Sequence, residues 1–209
     1  MDLAQELTKI VKGDVDVTDE TRRLYSHDAS VFEMMPQAVV FVRDEADIQA
    51  LVRFVAEHKK DLPTLSLTAR SRGTDMSGGA INDSIIVETS RYMCDVRDVS
   101  ATQATTQPGA MYRDFEAKTL EFGSFMPSYP ASREIAGMGG IVNNNAGGET
   151  SLSYGKTDRY VEALRMVLAD GNTYEIASLT REQLNAKMEQ DTFEGNLYRR
   201  TFQILDENY

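Results

Sequence analysis

Hydrophobic positions in the first ninety residues alternate between helical spacing and short unbroken apolar runs. Apolar residues at helical spacing predict amphipathic helices, whereas short runs of β-branched and aromatic residues predict buried strands. The predicted elements are a helix within residues 2–11, a short helix opening at Asp19, a strand at 38–42, a helix at 45–59 with Asp44 as its N-cap, and strands at 64–67 and 85–87. The order strand, helix, strand predicts a parallel pair joined by a crossover helix.

After residue 90 the pattern changes to short strands separated by turn residues. The predicted elements are two strands within 92–107, a helix at 110–121 with Met111, Phe115 and Leu120 inward, strands at 161–169 and 173–176 joined by an Asp170-Gly171 turn, and helices near 180–188 and 194–207. We therefore predict an α+β fold in which residues 1–209 form a single domain. Its parts are a small βαβ lobe at about 30–90, a larger lobe with a mainly antiparallel sheet and flanking helices at about 91–178, and C-terminal helices at 179–209.

Composition restricts the chemistry that the chain can perform. Its net charge of −11 repels nucleic acid and anionic lipid at long range, so we expect no nucleic-acid partner. The single cysteine, Cys94, excludes an internal disulfide and a multi-cysteine metal site. The two histidines, His27 and His58, are too few for a histidine-based metal site unless carboxylates complete it, and we expect no metal. The sequence shows no secretory signal and no stretch of the ~20 apolar residues that cross a bilayer. We expect a cytoplasmic protein that could associate peripherally with the inner membrane through partners.

A loop rich in glycine, serine and arginine follows the second predicted strand, at residues 70–80. Successive backbone N–H groups in such a turn can point into one concavity and bind a phosphate oxygen, and glycine permits the positive φ angles that this needs. Arg70 or Arg72 could add positive charge to such a site. An ordinary surface loop explains a single turn of this kind equally well.

A second segment, residues 137–148, contains five glycines and three asparagines. Side chains this small let a flat ligand or a second backbone come close, and asparagine amides can bind ring carbonyls and ring N–H groups. A tightly packed crossover between lobes would also need these glycines, and both explanations can hold together. Neither segment has the pattern of an NTPase phosphate loop or of a Rossmann site, so the pair favours one long ligand held at two points.

Five motifs in a fixed order carry a family resemblance. They are Pro36-x-Ala38-Val39-Val40, Arg70-x-x-Gly73-Thr74-x-x-Ser77-Gly78-Gly79, Gly139-Gly140-x-x-x-x-Asn145-Ala146-Gly147-Gly148, Tyr154-Gly155 and Val167-Leu168-Ala169-Asp170-Gly171. Together they resemble the FAD-linked oxidase N-terminal domain, which is the PCMH-type FAD-binding domain of the vanillyl-alcohol oxidase/p-cresol methylhydroxylase superfamily. The resemblance runs from about residue 24 to 177, and the pattern is most similar to glycolate oxidase and D-lactate dehydrogenase subunits.

The resemblance implies a two-lobed fold with FAD between the lobes. It implies that the first loop binds the pyrophosphate through backbone N–H groups and that the second segment lies along the flavin and ribityl chain. The implied cofactor-binding residues are Arg70, Ser71, Arg72, Gly73, Thr74, Asp75, Ser77, Pro130, Ser132, Gly137, Gly139, Gly140, Asn145, Ala146 and Gly148. Where the family's commonest first loop is Arg-Gly-Gly-Gly-Thr, this chain has Arg-Ser-Arg-Gly-Thr.

The mode of flavin attachment can also be inferred from the resemblance. Members that bind FAD covalently through the first loop have a histidine where this chain has Thr74, so we expect non-covalent FAD. Cys94 is expected to be a small buried hydrophobe rather than an attachment point. Tyr129 and Tyr154 are candidates to stack on the flavin or lie at its edge, although aromatic residues more often belong to the core.

The implied activity is that of a flavin-dependent oxidoreductase. It is a 2-hydroxy acid dehydrogenase of the D-lactate or glycolate type, which transfers hydride from substrate to FAD. The substrate-binding cap domain of the family is absent from this sequence, so we expect the fragment to be inactive alone and its catalytic residues to lie elsewhere. Expected partners are a C-terminal cap domain or partner subunit, an iron–sulfur or quinone electron acceptor, and a second copy in a homodimer. The alternatives are a reductase similar to UDP-N-acetylenolpyruvoylglucosamine reductase and a non-catalytic flavin-holding subunit of a multichain complex.

Overall fold

The computed structural model describes residues 2–209 and divides them into two compact units. The first unit contains the residues up to Val161 together with Val167–Asn172, and the second contains Glu162–Met166 and Thr173–Tyr209. The proposed lobe limits near residues 90 and 178 remain a prediction. None of the helices in the described residues is both long enough and apolar enough to cross a membrane.

A four-stranded sheet forms the core of the first unit. Its strands are β1 (Asp14–Asp16), β2 (Ala38–Phe41), β3 (Leu67–Arg70) and β4 (Ile85–Glu88). The spatial order is β1-β2-β4-β3, with β2 and β3 both parallel to β4 and β1 antiparallel to β2. The predicted parallel strands therefore share a sheet, but β4 lies between them. Every residue of β2 and β4 is buried, as expected for parallel strands covered on both faces.

The third strand begins three residues later than predicted. Residues 62–65 form a turn that the hydrogen bond from Leu65 N to Leu62 O closes, so Leu65 packs in the core outside the ladder. The pairing with β4 begins only at Leu67, opposite Ile85. This shift places Arg70 at the end of the strand and the following glycine-rich loop at the carboxyl edge of the sheet.

Three helices accompany this sheet, and each begins at a predicted polar residue or close to it. They are α1 (Leu3–Ile10), α2 (Asp19–Leu24) and α3 (Glu45–His58), with Asp2, Thr18 and Asp44 as their N-caps. Each cap side chain accepts a backbone N–H from the first turn, which satisfies a donor that the helix itself cannot pair. Helix α3 connects β2 to β3 and contributes Leu51 and Phe54 to the apolar core.

The rest of the first unit is made of short elements around a second apolar cluster. They are β5 (Val96–Arg97), β6 (Thr105–Thr106), α4 (Tyr112–Leu120), α5 (Met138–Asn143), α6 (Ser151–Tyr154) and a 3₁₀ turn at Thr157–Tyr160. Strands β5 and β6 are shorter than predicted because Ser100 Oγ and the Gln103 carbonyl close a turn between them. The prediction that Leu120 faces inward is wrong: it is 55% exposed, and Tyr112, Phe115 and Thr119 form the buried face.

The second unit is a hairpin followed by two helices. Its elements are β8 (Thr173–Ala177), α7 (Arg181–Glu189), α8 (Phe193–Asn208) and all of β7 (Ala163–Val167) except its last residue. A capping box between Thr180 and Gln183 begins α7, and Thr192 caps α8. The mixture of helices, a partly parallel sheet and antiparallel hairpins confirms the predicted α+β fold.

Candidate functional site

The first glycine-rich loop leaves β3 at the carboxyl edge of the parallel strands, where α/β sheets commonly bind ligands. Its backbone turns through positive φ angles at Gly73 (63°) and Gly78 (83°). In the described part of the chain, the backbone N–H groups of residues 71–74 donate to no protein acceptor. Unpaired successive donors in a turn can bind an anion, as the sequence predicts for this loop.

The Arg70 side chain packs against Gly73 of this loop. Its guanidinium Nη1 donates to the carbonyls of Ala80 (3.2 Å) and Tyr25 (3.5 Å), and the group lies 5.1 Å from the centre of the Tyr25 ring. Burial lowers the pKa of Arg70 from its ordinary value. A Cβ on Gly73 would lie 2.4 Å from this guanidinium, and the positive φ of 63° would strain any other residue, so glycine at position 73 lets the loop close over Arg70.

The second half of the loop is closed on itself by Asp75. Its carboxylate accepts the backbone N–H groups of Gly79 (2.7 Å) and Ser77 (3.1 Å) and the Ser77 hydroxyl (3.0 Å). The bond from Gly79 is the main reason that the pKa of Asp75 lies below its ordinary value. Asp75 and Ser77 are therefore already paired within the loop, and the free donors lie at residues 71–74.

The two glycine-rich segments are in direct contact. A Cβ on Gly137 would lie 1.9 Å from Ser71 Oγ and 3.2 Å from Arg72 Cγ. The Ser71 hydroxyl donates to the Pro108 carbonyl (2.8 Å), and the backbone N–H of Gly139 donates to the same carbonyl (2.9 Å). The Pro108 carbonyl thus joins both segments, although Pro108 lies outside the five sequence motifs.

The glycines of the second segment divide into packing positions and one open position. A Cβ on Gly139 would lie 2.6 Å from Pro108 Cβ, and one on Gly148 would lie 2.3 Å from the Tyr129 carbonyl oxygen. Gly140, in contrast, is exposed and has no heavy atom within 4 Å of its Cβ position. The steric explanation therefore accounts for Gly137, Gly139 and Gly148, whereas Gly140 leaves room for a ligand.

The remaining predicted residues of this segment are engaged with the protein. Asn145 adopts a positive φ of 44°, and its Oδ1 accepts the backbone N–H of Asp158 (2.9 Å). Ala146 is buried, and its carbonyl accepts the hydroxyls of Thr157 (2.7 Å) and Ser128 (3.1 Å). Both residues therefore hold the end of α5 against the 3₁₀ turn.

A small cavity of about 310 Å³ lies beside the predicted Pro130. Its lining residues are Tyr129, Pro130, Ala131, Arg133, Glu134 and Glu149. The Ser132 side chain is not part of this lining, and the Ser132 carbonyl accepts the N–H groups of Ile135 and Ala136. The volume is at the lower end of the range for small-ligand sites, so a dinucleotide would have to extend beyond it.

Of the two candidate tyrosines, Tyr129 belongs to the core. It is 8% exposed, and its ring packs 5.5 Å from that of Tyr112, whereas Tyr154 is half exposed. The expectation that Cys94 is buried is wrong: it is exposed, because it follows β4 in a surface turn where its thiol donates to the Ser90 carbonyl (3.0 Å). No group of three or more metal-ligating side chains occurs among residues 2–209.

Comparison with known proteins identifies the domain. A family model described as a FAD binding domain matches residues 36–177. The chain belongs to this family. The resemblance drawn from the five sequence motifs is thereby confirmed, and FAD is the cofactor of the domain. The matched residues include both glycine-rich segments and the whole of β2, α3, β3 and β4.

The relatives of this FAD-binding domain are considerably longer proteins. The chain is 30% identical to D-2-hydroxyglutarate dehydrogenase of Escherichia coli over 91% of its own length, which is 19% of that protein. It is 31% identical to glycolate oxidase subunit GlcD of Bacillus subtilis over 75% of its length, or 33% of that protein. Among solved structures, 6-hydroxy-D-nicotine oxidase of Arthrobacter nicotinovorans superposes with a TM-score of 0.69 at 21% identity, over 83% of this chain and 38% of that one. At this identity the structural likeness establishes the fold alone.

The residues at the two segments fit FAD by their own chemistry. A pyrophosphate needs several hydrogen-bond donors, and residues 71–74 supply four free N–H groups. Only two buried side-chain polar atoms in the described chain lack a partner, Arg72 Nε in this loop and Asp28 Oδ2. Asp28 belongs to the segment next to the loop, since Ala29 N donates to the Asp75 carbonyl (3.0 Å). Sequence reasoning did not select Asp28.

Proposed function

We propose that this domain holds FAD for a dehydrogenase that oxidises 2-hydroxy acids, with the pyrophosphate at residues 71–74 and the rest of the cofactor passing over Gly140. The observation that supports the placement is the contact between Ser71 and the Gly137 position, which brings the loop with the free donors to within three residues of the open Gly140. The names of the relatives from Escherichia coli and Bacillus subtilis support a 2-hydroxy acid as the substrate.

Residues of this chain bind and orient the cofactor in this proposal. Bound flavin supplies the hydride acceptor for the carbinol carbon of the substrate. The N–H groups of residues 71–74 bind the pyrophosphate. The hydrogen bonds from Arg70 to the Ala80 carbonyl and from Ser71 to the Pro108 carbonyl hold the loop in the conformation that exposes these N–H groups. The Asp75 carboxylate accepts hydrogen bonds from Ser77 and Gly79, and these bonds limit its repulsion of the phosphates.

Substrate recognition belongs, in this proposal, to another part of the enzyme. The chain spans 19% and 33% of the two relatives, and a cap domain or partner subunit would supply the groups that bind the carboxylate and take the hydroxyl proton. We also propose a quinone or an iron–sulfur partner as electron acceptor. The single cysteine of this chain cannot ligate a cluster alone, so an iron–sulfur cluster would belong to the partner. A cytoplasmic location and a homodimer remain parts of the same proposal.

The substrate class is tested with the whole protein that contains this domain. Under anaerobic conditions, D-2-hydroxyglutarate, D-lactate and glycolate are added to the oxidised flavoprotein, and loss of the visible flavin absorbance is followed. We expect at least one of these acids to reduce the flavin. Reduction by NADPH alone, with none of the acids effective, would support instead a reductase similar to UDP-N-acetylenolpyruvoylglucosamine reductase.

The placement of FAD predicts a selective effect of Gly140→Leu. Because the Cβ position of Gly140 meets no protein atom and leucine favours helices, the chain without FAD should unfold at the wild-type temperature or slightly above it. The side chain would occupy space assigned to the cofactor, so the dissociation constant for FAD should rise about tenfold or more. Flavin fluorescence titration and thermal unfolding measure the two quantities.

Ala117→Leu is the matched control, since it adds a similar bulk at an exposed position of α4. It should change neither quantity. Wild-type FAD affinity in Gly140→Leu would contradict the placement over α5. We propose non-covalent binding because Thr74 cannot form the bond that histidine forms; flavin that stays attached to the denatured wild-type chain would contradict it.

A further inference from the structure

The two arginines of the first loop have different surroundings. Arg70 is anchored: its Nη1 donates to two carbonyls, and its guanidinium fills the space under Gly73. Removing it would leave those carbonyls and the loop without support. Arg70 therefore has little freedom to turn toward a ligand, because its guanidinium already donates to carbonyls of the protein.

Arg72, in contrast, has an unpaired donor in its side chain. Its Nε is buried and has no hydrogen-bond partner in the described chain, although its stem packs beside Gly137. Burying a guanidinium N–H without an acceptor is costly, and a turn of the side chain that brings this group to a bound anion would remove the cost. Arg72 also belongs to the run of residues 71–74 whose backbone N–H groups are free.

The charges around Arg72 do not supply the missing acceptor. Asp28 and Glu88 act electrostatically on Arg70, and the carboxylate of Asp75 is held by Ser77 and Gly79. The chain as a whole carries a net charge of −11, so an approaching dianionic pyrophosphate meets an unfavourable field. A local cation with an unused donor would offset that field at the loop.

We propose that the Arg72 side chain binds a pyrophosphate oxygen of FAD, next to the backbone donors of residues 71–74, while Arg70 only positions the loop. This inference rests on the proposed placement of FAD. Arg72 stands where the family's commonest loop has a glycine, so the contact is a feature of this chain rather than of the fold. The side chain adds charge and a directed donor to a site that otherwise uses backbone N–H groups alone.

The test compares Arg72→Gln and wild type as the 209-residue chain, first stripped of flavin. The glutamine keeps much of the stem but removes the charge, so the dissociation constant for FAD should rise about 10- to 100-fold, as expected for loss of one charge-assisted hydrogen bond. The difference in FAD affinity between wild type and Arg72→Gln should shrink as salt is added, because salt screens the attraction between Arg72 and the pyrophosphate, which the variant lacks. Arg72→Lys should recover part of the affinity.

The control measurements separate ligand binding from structure. Without FAD, Arg72→Gln should unfold within about 2 °C of wild type, because no protein hydrogen bond is lost. Arg200→Gln removes the same charge from an exposed position of α8 and should leave the FAD affinity unchanged. Arg70→Gln should instead lower the unfolding temperature.

Each alternative outcome has a distinct meaning. An unchanged FAD affinity in Arg72→Gln, with normal wild-type binding, overturns the role of Arg72 and leaves the placement of FAD intact. A large drop in the unfolding temperature of the flavin-free variant also overturns it, since Arg72 would then be structural. Absence of FAD binding by the wild-type chain contradicts the flavin site itself, and this inference with it.

Discussion

Replacement of Gly137 by alanine is expected to destabilise the first unit by about 3 kcal/mol and to weaken FAD binding more than about 100-fold. The backbone of Gly137 has ordinary angles (φ −98°, ψ 147°), so alanine is not excluded by conformation. The cause is steric: the new methyl group would lie 1.9 Å from Ser71 Oγ and 3.0 Å from Ser71 Cβ. The Ser71 hydroxyl would have to turn away from the Pro108 carbonyl, and because Ser71 Cβ (3.0 Å) and Arg72 Cγ (3.2 Å) are also close, the two segments would have to move apart by a few tenths of an ångström.

A double-mutant cycle with Ser71→Gly isolates this contact. The single change Ser71→Gly removes the hydrogen bond to the Pro108 carbonyl and should cost about 1 kcal/mol. In the double variant the new methyl group at position 137 no longer meets a side chain at position 71, so the loss of stability should be smaller than the sum of the two single losses. Urea unfolding followed by circular dichroism gives the free energies, and flavin fluorescence gives the affinities.

Additive losses would contradict the contact. If Gly137→Ala costs the same in the wild-type background and in the Ser71→Gly background, the methyl group meets something other than the Ser71 side chain. Wild-type FAD affinity in Gly137→Ala would show that the separation of the segments does not affect the cofactor. Either result would mean that residues 71–74 and Gly140 do not bind FAD together.

Local chemistry explains which parts of the fold could be predicted from the sequence. Asp44 was predicted to begin α3, and it does so by accepting a backbone N–H three residues later, an interaction that short-range sequence determines. The runs at 38–42 and 85–87 became buried strands because they are apolar throughout. Such features depend on neighbouring residues, so a single sequence contains the information.

Features that depend on distant residues could not be predicted in the same way. The insertion of β4 between β2 and β3 follows from the packing of the whole sheet, and no local pattern encodes it. Leu120 was expected inside by spacing, but the axial rotation of α4 is set by Tyr112, whose hydroxyl donates to the Met126 carbonyl. Cys94 is exposed because its turn, rather than its hydrophobicity, decides where it lies.

In the candidate site, too, sequence motifs located the two segments, but the role of each residue depends on contacts with distant residues. The motifs selected both glycine-rich segments, and the structure brings Ser71 and Gly137 together. The sequence left open whether Arg70 or Arg72 supplies charge to the site, since the anchoring of Arg70 depends on the distant carbonyls of Tyr25 and Ala80. They also gave Gly139 and Gly140 the same importance, although one packs against Pro108 and the other meets open space.

The second large effect is expected at Asp47, away from the glycine-rich segments. Its carboxylate is 1% exposed and accepts three backbone N–H groups, those of Lys12 (2.7 Å), Arg43 (2.9 Å) and Gly13 (3.1 Å). This one side chain thereby joins the segment before β1, the end of β2 and the first turn of α3. The segment before β1 lies close to the end of β2, since a Cβ on Gly13 would lie 1.9 Å from the Phe41 carbonyl oxygen.

Asp47→Ala is therefore expected to lower the free energy of unfolding by about 3 kcal/mol or more, since three donors lose their acceptor and each buried unpaired donor costs about 1–3 kcal/mol. Asp47→Asn keeps one acceptor oxygen, which can serve Gly13 and Arg43, but its NH2 group would face the Lys12 N–H, so it should destabilise the chain less than Asp47→Ala does. Asp44→Ala, which removes the partly exposed cap of the same helix and its ion pair with Lys12, should cost about 1 kcal/mol and serves as the control. Equal losses for Asp47→Ala and Asp44→Ala would mean that the three N–H groups find other acceptors, and that Asp47 does not hold these segments together.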